Sequence, residues 1–178
     1  MRKLMRNAGP AAFGLAVLGS ILLGGAARAE TAAHKLLLSG YADGPQGEAL
    51  LAGRYDLVIV RLAAHGAPFD ADEVSASTNL CVAYIMSRHW NSAETVCDEA
   101  LRDAKLDAPE PTMFSRLARN EEVAIAYSNR AVLKLIEGRA QSAADDLAKA
   151  RTLSHADFIS RNESAASALT TTVAAARE

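Results

Sequence analysis

The chain has 178 residues, half of them hydrophobic, with 19 Lys and Arg against 21 Asp and Glu and a formal net charge of −2. That length supports one domain with a packed core. The acid-leaning balance makes nucleic acid and anionic lipid poor partners, since both need a basic face.

Residues 1–29, MRKLMRNAGPAAFGLAVLGSILLGGAARA, put Arg2, Lys3 and Arg6 ahead of an apolar run from Ala11 to about Ala26 and close on Ala27-Arg28-Ala29. This is the layout of a secretory signal peptide with a small-x-small cleavage site. The run falls short of the about 20 apolar residues that a membrane-spanning helix needs. No stable membrane insertion is therefore expected after its removal; an uncleaved anchor is the competing reading. The chain left from 30 to 178 keeps 15 of the 19 basic residues and all 21 acidic ones, a net of −6. Export, to a bacterial periplasm or as a secreted protein, places Cys81 and Cys97 in an oxidising compartment.

Beyond the leader the apolar side chains recur at three- and four-residue steps, the period of amphipathic helices. A short helix is expected from about 46 to 51, because Gly44 and Pro45 blunt its start, followed by a turn at Gly53 and a helix over about 56–64. The next unit, about 74–107, carries Leu80, Val82, Tyr84 and Ile85, a polar break SRHWNS, then Ala93, Val96, Cys97, Ala100 and Leu101. Pro109 and Pro111 stop it, and the following helix begins near Thr112, ahead of a unit over about 121–154. A capping helix follows over about 156–175. The one β-branched cluster, DLVIVRL at 56–62, sits in helical context without a partner, so no strand is expected.

The units repeat. Cys81, Ala93, Cys97 and Ala100 are separated by 12, 4 and 3 residues, and Ala131, Ala143, Leu147 and Ala150 show the same gaps. Asn79 aligns with Asn129, and Ser92-Ala93 with Ser142-Ala143. Gly53-Arg54-Tyr55 lies 35 residues before Arg88-His89-Trp90, which makes 46–66 a degenerate first copy. The fold class is all-α: a short array of helical hairpins with two full repeats, one degenerate N-terminal repeat and a C-terminal capping helix.

Over about 46–154 this pattern resembles a tetratricopeptide repeat protein. It has a small residue within the first helix (Cys81, Ala131), an aromatic three later (Tyr84, where Lys134 departs) and an aromatic after the turn (Tyr55, Trp90). Small, apolar and small residues then follow on the second helix. Arg130 also departs from the pattern, and like Lys134 it is expected to carry its charge out to solvent; His65 replaces a small residue in the first copy.

The resemblance implies close helix approach, about 8 Å between axes, at the places held by Cys81 and Cys97. With export to an oxidising compartment, a Cys81–Cys97 disulfide is expected, which requires Cα atoms within about 7 Å; two buried thiols are the other reading. It also implies a concave groove lined by first helices: Ser75, Thr78, Val82, Ile85 and Met86, then Ile125, Ser128, Val132, Leu135 and Ile136. That face lacks the Lys and Arg clamps that capture carboxylates. It suits an apolar or amphipathic helix or peptide from another protein, or a second copy of this chain. Alternatively the C-terminal helix or the segment AAHKLLLSGY, 32–41, fills it.

Chemistry has little support in these residues. His34, His65, His89 and His155 are scattered without ligand spacing, so neither metal nor cofactor is expected. There is no Gly-rich phosphate loop and no GxSxG, and Cys81 with His89 falls on a packed hairpin. Glu121-Glu122 and Asp145-Asp146 read as solvated helix faces. Asn162-Glu163-Ser164 has the form of a glycan acceptor, meaningful only in a eukaryotic secretory route. The expected function is an exported, non-catalytic protein–protein interaction module, with a self-associating envelope protein as the alternative.

Overall fold

The computed structural model describes residues 12–16, 36–65, 73–106 and 112–175. The rest of residues 1–29, with the cleavage site expected at Ala27–Ala29, and the expected break at Pro109–Pro111 lie outside the described residues. Two strands, β1 (Ala12–Ala16) and β2 (Leu37–Tyr41), are followed by helices α1 (Gly44–Leu51), α2 (Tyr55–His65), α3 (Glu73–Met86), α4 (Trp90–Leu106), α5 (Met113–Ile136), α6 (Ala140–Leu153) and α7 (Asp157–Ala175). The helices pack as an array: α1 with α2, α3 with α4 and α5 with α6 form hairpins, each hairpin leans on the next, and α7 packs on α6 and α5. The all-α class expected from periodicity is the observed one.

Local chemistry accounts for the helix boundaries. Pro45 occupies the first turn of α1, where its missing N–H is no loss, so the helix starts two residues ahead of the expected Gln46. Thr112 caps α5 in a reciprocal box with Ser115: each side chain bonds the other's backbone N–H, at 3.1 and 3.0 Å.

The three hairpin turns are closed alike. The N–H groups of Arg54, His89 and Arg139 donate to the carbonyls of Ala49, Tyr84 and Lys134 at 2.9, 3.0 and 2.8 Å. Those of Gly53, Arg88 and Gly138 donate to Leu50, Ile85 and Leu135. This Schellman closure demands a left-handed residue at its inner position, and φ there is 69°, 60° and 77°. The same hydrogen bonds thus recur at the 35- and 50-residue offsets that align the repeats.

Small residues seat the second helices against the first: Ala93, Ala100, Ala131, Ala143 and Ala150 are buried. In the middle hairpin two of these close-contact places hold Cys81 and Cys97, which form a disulfide with Cα atoms 4.8 Å apart. Closing a loop of that length stabilises the unit by about 3 kcal/mol through the unfolded chain.

Two strands appear where none was expected. β1 and β2 pair antiparallel, with Phe13 opposite Gly40 and Leu15 opposite Leu38. The segment DLVIVRL is helical, within α2. β2 is rich in Leu and has no β-branched residue, so intrinsic preference does not make it a strand. Its extended form is imposed by tertiary contacts, described below.

Arg88 is the one residue other than glycine with positive φ among the described residues. A left-handed side-chain-bearing residue costs about 1 kcal/mol or more. Arg88→Gly is therefore expected to raise stability by about 0.5–1 kcal/mol. Gly138→Ala, where an added Cβ meets no atom within 4 Å, should lower it by about 1 kcal/mol through backbone strain alone. Urea denaturation of the two variants measures both signs.

Candidate functional site

Helices α1, α3, α5 and α7 line one face of the array, and β2 runs across it. One asparagine on each of the last three holds the strand. The side-chain amide of Asn162 accepts from the Leu37 N–H and donates to the Leu37 carbonyl, both at 2.8 Å. Asn129 does the same to Ser39 at 2.9 and 2.7 Å, and Asn79 to Tyr41 at 2.7 and 2.9 Å. A carboxamide carries a donor and an acceptor on one edge, so each asparagine pairs with a residue as a neighbouring strand would. The chain thus passes from α7 over α5 to α3, against the order of the repeats, before turning into α1.

The spacing fits the face. Two residues of strand advance about 6.7 Å, less than the 8–10 Å typical between helix axes. The asparagine side chains reach across that difference to the strand. All three asparagines are at most 1 % exposed, as is Ser39. Gly40 is required by close approach, because a Cβ there would stand 2.5 Å from Leu50 Cδ2 and 2.8 Å from Asn79 Oδ1.

Of the residues assigned to the groove, Thr78, Val82, Ile85, Ile125, Ser128, Val132 and Leu135 are buried, while Ser75, Met86 and Ile136 are half-buried. Val82, Ile85 and Val132 share an apolar cluster with Leu38, Ile125 shares one with Tyr41, and Leu135 packs with Leu36. The residues do lie on the face of the first helices, and the chain's own segment 36–41 covers them.

Asn79, Asn129 and Asn162 were not assigned to the site from sequence. A signal was present: Asn79 and Asn129 align across the repeats, and Asn162 follows Asn129 by 33 residues. Buried asparagine on an otherwise apolar helix face is costly unless paired, which is the clue that such a polar ladder leaves. Asn162 also corrects the glycan reading. It is fully buried, and its amide is engaged by Leu37 and by Ser128 Oγ at 3.0 Å.

Asp146 is a second correction: it is 1 % exposed, whereas its neighbour Asp145 is solvated as expected. Arg130 donates to it through Nε and Nη2, both at 2.8 Å, and Lys134 through Nζ at 2.6 Å. Arg130 Nη1 also reaches Asp98 at 2.7 Å. The two cations that depart from the repeat pattern therefore turn inward to a buried carboxylate and tie α4, α5 and α6 together. Burial pushes the Asp146 carboxyl up, but the bonds from Arg130 and Lys134 outweigh it and hold it below the usual carboxylate range. The bonds that Arg130 donates to Asp146 in turn raise its guanidinium against the opposing pull of burial. His89 and His155, both exposed, stand apart from this cluster.

Among the described residues no three of His, Cys, Asp and Glu are grouped to hold a metal ion, and no helix is long and apolar enough to cross a membrane. A shallow depression of about 590 Å³ beside the first two turns, walled by Tyr55, Asp56, Met86 and His89, is wide open to solvent.

Two measurements test this geometry. Asn129→Ala leaves the buried N–H and carbonyl of Ser39 unpaired; at about 1–3 kcal/mol for each, it should destabilise by about 2–4 kcal/mol and speed amide exchange at Ser39. Asn91→Ala on the exposed start of α4 should stay within about 0.5 kcal/mol. Because the Asp146 carboxyl is depressed in the folded chain, its contribution is complete above the unfolded value near 3.8 and is lost as pH falls through the folded one. Denaturation midpoints should hold from neutrality to about pH 5 and fall below about pH 4, with a shallower acid limb in Asp146→Asn. No protein-family model, curated protein or solved structure matches this chain.

Proposed function

We propose that the chain is an exported, non-catalytic protein–protein interaction module of tetratricopeptide type, working in the periplasm or outside the cell. The observation that carries this reading is the asparagine ladder: the first helices of successive units present amides, at repeat spacing, that grip the backbone of an extended polypeptide. Such a surface reads main chain, which is what an interaction module for unstructured segments needs. The identical turns support the repeat assignment. The buried disulfide supports an oxidising compartment, and the basic, apolar leader supports export through a cleaved signal. With the face covered by β2, the partner is an extended segment meeting the strand, in place of an amphipathic helix lying in an empty groove.

A second reading, self-association, is favoured by exposed apolar side chains where α4 meets α5. Leu106, Met113, Phe114 and Leu117 are 60–83 % exposed there.

A photoreactive residue at exposed Asp43, next to the end of β2, separates the readings in the native host. Ultraviolet-dependent adducts to a different polypeptide are expected, and they should fade in Asn129→Leu, which releases the strand. Adducts only between copies would favour self-association, and no adduct at all would remove the interaction role.

A further inference from the structure

The asparagines use one edge of β2 only. In an extended chain the N–H and carbonyl of successive residues point to opposite edges. Those of Leu37, Ser39 and Tyr41 are consumed by Asn162, Asn129 and Asn79. Leu38 and Gly40 therefore offer theirs on the other edge, where β1 lies with Leu15 opposite Leu38 and Phe13 opposite Gly40. β1 belongs to the leader, the segment whose layout marks it for removal. Cutting it away would leave two donors and two acceptors on a held, extended strand, an arrangement that templates strand pairing.

We propose that this outer edge of β2 is a strand-acceptor site, which in the processed protein takes an extended apolar segment of a partner protein, added antiparallel through Leu38 and Gly40. The inference rests on the reading of the chain as an interaction module and names what that module recognises. β1 defines the chemistry of the occupant. Its small residues Ala12, Gly14 and Ala16 stand opposite Tyr41, Ser39 and Leu37, and its large ones, Phe13 and Leu15, stand opposite Gly40 and Leu38. The partner segment should alternate small and bulky apolar residues over five positions and carry no charge. Binding costs little ordering on the acceptor's side, because six hydrogen bonds from the helices already hold β2 extended. In the precursor, β1 acts as the placeholder.

The acceptor does not depend on β1 for its fold. β1 packs chiefly on β2, while among the described residues the three apolar clusters, the disulfide and the asparagine ladder are built from residue 36 onward. The probe is a fluorescent, lysine-tagged peptide of residues 10–18, titrated by anisotropy into the oxidised chain 30–178. Saturable binding is expected, at least tenfold tighter than to the full chain, whose edge is occupied. N-methylation at Phe13 or Leu15 removes a donor aimed at Gly40 or Leu38 and should weaken binding at least tenfold. At Gly14 the N–H points away, and N-methylation should cost less than threefold.

The full chain offers an independent route: Phe13→Pro, which frees β1, should gain affinity for the peptide at least tenfold, and Gly14→Pro should gain less. Equal binding of the three methylated peptides, or no binding by either 30–178 or the full-length Phe13→Pro, would overturn the proposal. So would light scattering that shows 30–178 to be a dimer dissociated by the peptide, since the occupant would then be a second copy. Failure here with heterologous adducts still formed at Asp43 would leave the interaction role standing and move its surface off the strand.

Discussion

Three side-chain amides pairing with a single strand are the constraint on which the arrangement depends. A carboxamide reproduces the donor and acceptor of a peptide group at the same spacing, so a helix bearing one asparagine can stand in for a neighbouring β-strand at one residue. Placed once per repeat, the substitution extends along the array and saturates every inward N–H and carbonyl from Leu37 to Tyr41. Without that pairing, burying an extended segment against helices would strand polar backbone in an apolar setting, a cost the leucines alone would not offset.

The strand also resolves a difficulty of short arrays. A repeat stack of this length exposes apolar first-helix faces that longer solenoids share among many units. Here Leu36, Leu38 and Tyr41 enter the apolar clusters and cover Val82, Ile85, Ile125 and Val132. Segment 36–41 enters at the α7 end, crosses the face of α5 and α3 and then leads into the first hairpin, so Leu37 binds a helix at the far end of the array. This gives sequence-distant elements a direct tie: Leu37 to Asn162 spans 125 residues. The disulfide acts more locally, holding the middle hairpin, and the Asp98–Arg130–Asp146–Lys134 cluster joins it to the next.

Much of this was readable from the residues in line. The 35- and 50-residue offsets gave the repeats, Gly53 and Gly138 marked the turns, and the alignment of Cys81 with Ala131 and Cys97 with Leu147 marked the close helix contacts where a bridge could form. Val82, Ile85, Ile125 and Val132 could be assigned to one face of the first helices because helical period decides which residues share a side. What escaped was the meaning of polar residues inside that period. Asn79, Asn129 and Asp146 resemble ordinary surface residues until a partner is seen, and Arg130 and Lys134 turn inward because Asp146 lies within reach on the next helix.

Helix, turn and repeat are properties of nearest neighbours: side-chain period, capping chemistry and left-handed turn positions act over a few residues, and the sequence by itself determined them. The strand state of Leu37–Tyr41, the burial of Asn162 and the charge pairing of Asp146 depend on atoms 12 to 125 residues away. Only the tertiary structure decided those, because a hydrogen bond's worth depends on whether water can replace it, and burial is set by the whole array.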